Sequence, residues 1–199
     1  AFGGVPAFES GSGGGSLAVA TPVAGLGNQS SYGSGRIFLG ATGTEVIFPA
    51  SETFSPGADN TFRLGGGTKG MKILATLPDD NGTHLLVGFP GSGGGAPEGF
   101  TLQNTLGITG EAIIRSSLLN VYGSTVPAQG VHDWRLSGGQ LKLGGGSTGA
   151  IAELTENGTT QFGAIANDAV VHLQNGALAV VAWNKAQPSS EIFGTLAVE

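Results

Sequence analysis

Apolar residues in this chain come in short runs, and most runs alternate with polar positions. Met71 to Leu77, MKILATL, places an apolar side chain at nearly every second residue, as a half-buried strand requires. Val131 to Leu136 (VHDWRL) and Gln140 to Leu143 (QLKL) alternate in the same way around Ser137-Gly138-Gly139. Arg36 to Gly40 and Thr44 to Phe48 read as a first strand pair, Asn60 to Leu64 as the next strand, and the closing IFGTLAVE as the last. Asn-Gly dipeptides stand at Asn81-Gly82, Asn157-Gly158 and Asn175-Gly176. Between alternating runs they predict hairpin turns, since both positions of a type I′ turn need positive φ.

The pattern also echoes itself. Arg63-Leu64-Gly65-Gly66-Gly67-Thr68 matches Lys142-Leu143-Gly144-Gly145-Gly146-Ser147, and each copy then runs to Asn-Gly-Thr. One stretch stays open between helix and strand: Glu111 to Tyr122, EAIIRSSLLNVY, whose apolar pairs fall near a helical period but whose Ile and Val suit a strand. About a dozen short strands, at turn spacings near 8–12 residues, predict an all-β, mostly antiparallel body. The expected architecture is a β-sandwich or jelly-roll-like body. The alternative is a β-helix or β-prism, because Gly-punctuated short strands also suit a solenoid.

Composition sharpens this reading. The 199 residues include 38 glycines, and only 11% are charged. So much glycine belongs at turns and close backbone contacts rather than in helices. Residues 1–35 are the poorest in complexity, with SGSGGGS at Ser10 to Ser16. They predict an extended Gly/Ser-rich arm in front of a β-rich body at 36–199, because such a segment buries too little to fold alone. Its apolar residues Phe2, Val5, Phe8, Leu17, Val19, Val23, Leu26 and Tyr32 are the candidate assembly contacts, made on neighbouring subunits.

Net charge is −6, with 8 Lys and Arg that form no patch, which argues against nucleic acid as a partner. No apolar run approaches the roughly 18 residues that would cross a bilayer as a helix, and no membrane contact is expected. There is no cysteine, so neither disulfides nor thiolate metal sites are available.

Candidate chemistry is thin. Gly65 to Gly70 and Gly144 to Gly149 fit G-x-G-x-x-G, but a phosphate cradle needs a helix behind the glycines, and β-like runs follow both. Gly145-Gly146-Ser147-Thr148-Gly149 fits G-x-S-x-G, with Asp168 and His172 downstream in hydrolase order. The α/β context of a nucleophile elbow is missing, so a polar turn is the better reading. His84, His132 and His172 stand singly, without metal-ligand spacing. Asp79-Asp80-Asn81-Gly82 lacks the spacing of a calcium loop and reads as a turn. Trp134, Trp183 and Tyr122 suit strand packing better than sugar stacking. Asp133, Trp134 and Glu153 are the loose candidates for glycan chemistry. No catalytic residue, cofactor or metal is expected.

The last segment carries a local resemblance. Leu178-Ala179-Val180-Val181-Ala182-Trp183-Asn184, a Pro/Ser link and Ile192 to Val198 are similar to a stretch of lambda-type bacteriophage head decoration proteins. In that family a strand ending Val-Ala-Trp-Asp-Gly is followed by small residues and Val-Gly-Ile-Leu-Ala. Here the stretch lies at the end of the sequence, and Lys185 stands where the family has the turn Gly. The resemblance implies a trimeric β-rich body, an N-terminal arm that orders on the capsid, and no enzymatic activity.

Together these features lead to an expected function. The chain reads as a non-enzymatic structural subunit of a repetitive assembly, a virion protein that decorates the capsid or projects as a spike or fibre. Its expected partners are copies of itself, with a trimer favoured, and other subunits such as a major capsid protein. The alternatives are a secreted cell-surface filament or adhesin subunit and a carbohydrate-binding β protein.

Overall fold

The computed structural model describes residues 16–88, 99–102, 106–121, 128, 130–145, 165–183 and 194–199. They form fourteen short strands with no α-helix among the described residues: β1 (Ser16–Val19), β2 (Phe38–Ala41), β3 (Val46–Phe48), β4 (Thr61–Gly67), β5 (Met71–Ile73), β6 (His84–Val87), β7 (Phe100–Leu102), β8 (Ala112–Arg115), β9 (Leu118–Val121), β10 (Asp133–Ser137), β11 (Gln140–Gly145), β12 (Val170–Gln174), β13 (Leu178–Trp183) and β14 (Thr195–Val198).

The chain is all-β, as its alternation predicts, but its strands are parallel. An eight-stranded sheet runs β1-β2-β4-β6-β8-β10-β12-β14, and a six-stranded sheet runs β13-β11-β9-β7-β5-β3. From β2 onward, successive strands alternate between the two sheets. A third, irregular wall is bridged in parallel at Asn28–Ser55, Leu77–Leu106 and Ala128–Ile165. This is a β-solenoid: the β-helix alternative holds, and the antiparallel sandwich or jelly roll does not. The expected first strand pair is therefore no pair, since β2 and β3 lie in different sheets.

The reason lies in the turns. Asn175 and Gly176 both take positive φ (56° and 72°), and Ala177 N–H donates to Gln174 O at 3.2 Å. That is the turn expected of Asn-Gly, yet it carries the chain from β12 in one sheet to β13 in the other. It makes a corner, where a hairpin would have folded the strand back on itself. Asn81-Gly82 likewise turns the third wall into β6. Asn157-Gly158 lies outside the described residues. The stretch expected at Glu111 to Tyr122 holds β8 and β9 around a bend at Ser116-Ser117, with Tyr122 outside the described residues.

Alternation sends every second side chain inward, and parallel stacking aligns these side chains into columns. One column runs Leu17, Leu39, Leu64, Val87, Ile114, Leu136, Leu173, Val198, each over the next. A second runs Phe62, Leu85, Ala112, Trp134, Val171, Leu196. The smaller sheet supplies Met71, Phe100, Leu119 and Leu141, and Phe48 meets Phe54 edge to face at 5.5 Å. Trp134 is fully buried, and its indole donates to Val131 O at 3.2 Å.

The expected arm does not stand apart where it is described. β1 pairs with β2 of its own chain, and Val19 and Leu26 pack against the core. A parallel sheet with a free edge offers backbone partners and an apolar column, and Leu17 and Val19 alternate correctly to join it. Residues 16–35 therefore belong to the solenoid body, and the boundary expected at residue 35 falls inside a continuous fold.

Candidate functional site

One group of ionisable side chains lies on the outer face of the larger sheet. Strand register stacks Arg135 on His172 and His172 on Ala197. Asp133 lies two residues before Arg135 on the same face, and Glu111 immediately precedes β8, level with Asp133. Arg135 Nε and Nη2 donate to Asp133 Oδ1 and Oδ2 at 3.1 and 3.0 Å, and Nη2 also reaches Glu111 Oε1 at 3.3 Å. The hydrogen bonds that Arg135 donates to Asp133 push the guanidinium pKa up, outweighing burial. His172 stands 3.8 Å from Asp133 Oδ1 through Nε2 and 3.7 Å from Glu199 Oε1 through Nδ1.

A glycosidase needs two carboxyl groups flanking a bond, one of them able to give up a proton. Here Asp133 and Glu111 are committed to one guanidinium. Trp134 points into the core, in keeping with the strand-packing reading. Glu153 and the Trp183 side chain lie outside the described residues. The remaining histidines are separated. His132 Nδ1 lies 2.7 Å from Asp168 Oδ1, with the side chains 58% and 77% exposed, and exposed contacts of this kind contribute little. Asp168 thus pairs with His132, and His172 sits with other carboxylates, so the hydrolase order of the sequence has no triad behind it. Ser147 lies outside the described residues. Among the described residues no three His, Asp or Glu side chains converge as metal ligands.

Asp79 is the hub of a corner. Oδ1 accepts from the Thr83 and Thr109 amides at 2.8 and 3.0 Å, and Oδ2 accepts from Gly82 N at 3.2 Å and Thr109 Oγ1 at 2.9 Å. Thr83 and Thr109 belong to successive coils, so one carboxylate ties two coils together. Desolvation pushes the pKa up, and these four hydrogen bonds together more than reverse that, holding it below the usual carboxylate range. His84 Nδ1 accepts the Glu111 N–H at 3.0 Å. Burial pushes its pKa down, against the opposing pull of Glu111 and Asp79.

A polar network at the β1 end went unmarked in the sequence. The Gln29 carboxamide acts as a peptide unit beside β4: Oε1 accepts Arg63 N–H at 2.7 Å, and Nε2 donates to Arg63 O at 2.9 Å. It fills the ladder where β2 and β4 share only the Leu39–Leu64 pair. The Arg63 side chain is fully buried. Its guanidinium donates to Gly35 O, Ala58 O and Thr61 O at 3.1, 2.7 and 3.4 Å and meets Asp59 at 3.4 Å. Asp59 also pairs with Arg36 at 2.7 Å. Nothing in NQSS or NTFRL singles out Gln29 or Arg63, since their partners come from distant turns.

Of the candidate assembly contacts, Phe2, Val5 and Phe8 lie outside the described residues. Leu17, Val19 and Leu26 are half-buried on the body. Tyr32 donates its hydroxyl to Leu26 O at 3.1 Å, and burial pushes its pKa up to about 12. Val23 alone of the described five is largely open, at 48% exposure. The first glycine triplet serves close approach. Gly66 and Gly67 take φ of 79° and 81°, and a Cβ on Gly67 would come within 2.0 Å of Ala41 O. A strand follows, not a helix, which leaves no phosphate cradle there. The second triplet's Gly146 is outside the described residues.

No protein family, no curated protein and no solved structure matches this chain.

Proposed function

We propose that this chain is a non-enzymatic structural subunit of a repetitive assembly, a bacteriophage virion protein that decorates the capsid or projects from it as a spike or fibre. The observation that carries the reading is the state of the inner columns at β14. Leu196 and Val198 occupy the same inward positions as Val171 and Leu173, yet they are 51% and 74% exposed. Among the described residues β14 pairs with β12 alone, so its other edge offers backbone donors and acceptors for strand addition. A second copy presents a matching first strand. Its β1 would run parallel, and its Leu17 would extend the column that ends at Val198. Contacts of this head-to-tail kind generate open stacks or rings.

The ionisable groups support the same reading. Those on the outer face are paired along the sheet, where a catalytic cleft would gather them. The similarity of 178–198 to head decoration proteins adds the capsid as the surface on which copies assemble.

Sedimentation velocity and negative-stain microscopy across a concentration series test this. The wild-type chain is expected to form stacked oligomers. The double variant Leu196→Lys, Val198→Lys should remain monomeric with an unchanged β spectrum. A wild-type chain that stays monomeric at high concentration, alone and with capsid shells, overturns the proposal.

A further inference from the structure

Among the described residues two corners turn on Asn-Gly, and they are held very differently. Their local geometry is shared: Asn81 and Gly82 take φ of 59° and 90°, Asn175 and Gly176 φ of 56° and 72°. A Cβ on either glycine would meet nothing within 4 Å. The corner at Asn81 is tied from several sides. Gly82 N–H and Thr83 N–H donate to Asp79 at 3.2 and 2.8 Å, and the same carboxylate takes two bonds from Thr109 on the next coil. Thr83 is fully buried, and its hydroxyl accepts Asp80 N–H at 2.7 Å and donates to Asn60 Oδ1 at 3.0 Å. The corner at Asn175 rests on less. Ala177 N–H donates to Gln174 O at 3.2 Å and Asn175 Nδ2 to Ser137 Oγ at 2.9 Å. Asn175 and Gly176 are both exposed, and among the described residues no hydrogen bond engages the Gly176 amide.

We infer that Asn175 is a site of covalent self-modification, where the Gly176 nitrogen displaces the side-chain amide and water then leaves aspartate or isoaspartate, while the fold protects Asn81. The Gly176 nitrogen gives its proton to hydroxide and attacks Asn175 Cγ. A bond forms between that nitrogen and Cγ, the Cγ–Nδ2 bond breaks, and the leaving nitrogen takes a proton from water and departs as ammonia. The product is a five-membered succinimide. Water adds to one of its two carbonyls and breaks the bond from that carbonyl to the ring nitrogen. Opening at Cγ gives aspartate with the chain path unchanged. Opening at the main-chain carbonyl gives isoaspartate, in which the chain runs through the former side chain. Water and hydroxide are the only other reactants.

Such a step asks three things of an asparagine: a following residue without a side chain over its nitrogen, an N–H open to base, and a backbone that can leave the turn so that nitrogen and Cγ meet. Both corners meet the first. At Asn81 the Asp79 carboxylate denies the other two, since it holds the Gly82 amide and ties the turn to a second coil. At Asn175 the amide is open, and leaving the turn breaks two hydrogen bonds at the surface, the kind of local opening that costs far less than global unfolding. The product matters to the fold. Isoaspartate adds a carbon to the main chain at the corner between β12 and β13, one residue from Gln174 O, which accepts Gly138 N–H at 2.9 Å. The neighbouring corner at Ser137 to Gly139 is therefore disturbed with it.

Incubation of the full chain in mildly alkaline buffer, with peptide mass mapping over time, tests the inference. Digestion after acidic residues separates Asn175 from Asn157 at Asp168 and places Asn81 in a peptide of its own. In the folded protein Asn175 is expected to convert about tenfold or more faster than Asn81, with isoaspartate among its products. In urea the two rates should converge, because only the fold separates them. Asp79→Ala frees the Gly82 and Thr83 amides and should raise the Asn81 rate toward that of Asn175, leaving Asn175 unchanged. If that variant does not fold, the folded and urea rates of the wild-type chain still give the readout. Equal rates in the folded protein overturn the inference, and so does an Asn175 that persists after the unfolded chain has converted. A rate ratio that survives in urea also overturns it, because flanking sequence then sets the difference. The stacking proposal stands or falls separately, since its variants lie at β14.

Discussion

The two ends of the solenoid are built differently, although one apolar column joins them. At the β1 end, Leu17 and Val19 are half-buried and a polar network binds the first coils. Gln29 completes the β4 ladder, Arg63 gathers the carbonyls of Gly35, Ala58 and Thr61, and Tyr32 closes on Leu26. At β14 the same column reaches Val198, whose side chain is mostly in water. The coils around β4 are tied by side chains that imitate or satisfy the backbone, whereas Leu196 and Val198 on β14 leave apolar surface open.

The largest expected effect comes from breaking the tied coils. Arg63→Met keeps the apolar stem but strips three carbonyls of a charged donor inside the protein. No apolar side chain can satisfy those carbonyls, so the loss should be roughly 3–5 kcal/mol, the scale of a broken buried charge partner. Urea titration measures it, and a loss under about 1 kcal/mol would show the network to be ornamental. Gln29→Ala follows, at about 2–3 kcal/mol, because it removes both hydrogen bonds that its carboxamide makes to the buried Arg63 backbone. Gln29→Glu sharpens the point. It keeps the acceptor but sets an oxygen against Arg63 O, and should cost at least as much.

Next comes a comparison within the column. Leu64→Ala should lose about 2–5 kcal/mol, as large-to-small changes in packed cores do. Val198→Ala, at the open end of the same column, should lose no more than about 0.5 kcal/mol in the isolated chain. Equal losses would mean that β14 is covered in solution. In an assembled stack the second value should rise toward the first.

Much of the fold was legible in the chain, for identifiable reasons. MKILATL announced its inward positions: Met71, Ile73, Ala75 and Leu77 are all buried, although the strand itself ends at Ile73. Direction was not legible. Alternation looks the same whether the next strand runs parallel or antiparallel, and Asn175-Gly176 adopts one local geometry in a hairpin and at a corner. Coil length hid the repeat as well. The stacked pairs Ala112–Trp134 and Asp133–Val170 show coils of unequal length within the roughly 20–50-residue range of solenoids. Histidine and aspartate could be found by type, but their partners could not. His172 meets Asp133 and Glu199 because strand register stacks them, and register depends on every loop between.

The smallest expected effect concerns pH, and it compares two corner groups of opposite sign. His84 accepts a hydrogen bond at Nδ1 from the Glu111 amide, so a proton there would set donor against donor. Its folded pKa lies below the unfolded value of about 6.5. The unfolded chain therefore binds more protons in that interval, and stability falls as pH drops through about 6.5 until the folded pKa is passed. The facing carboxylates Glu111 and Asp79 moderate the step by favouring the charged ring. Asp79 acts lower. Its folded pKa is depressed, so its contribution is complete above the unfolded value of about 3.9 and disappears as pH falls through the folded one. Urea midpoints followed from pH 7.5 downward should thus show a shallow decline below about 6.5 and a second below about 4. His84→Asn retains an acceptor for the Glu111 amide and should flatten only the first. Asp79→Ala should lower stability at neutral pH and flatten only the second. If His84→Asn leaves the first decline in place, the proton is taken elsewhere.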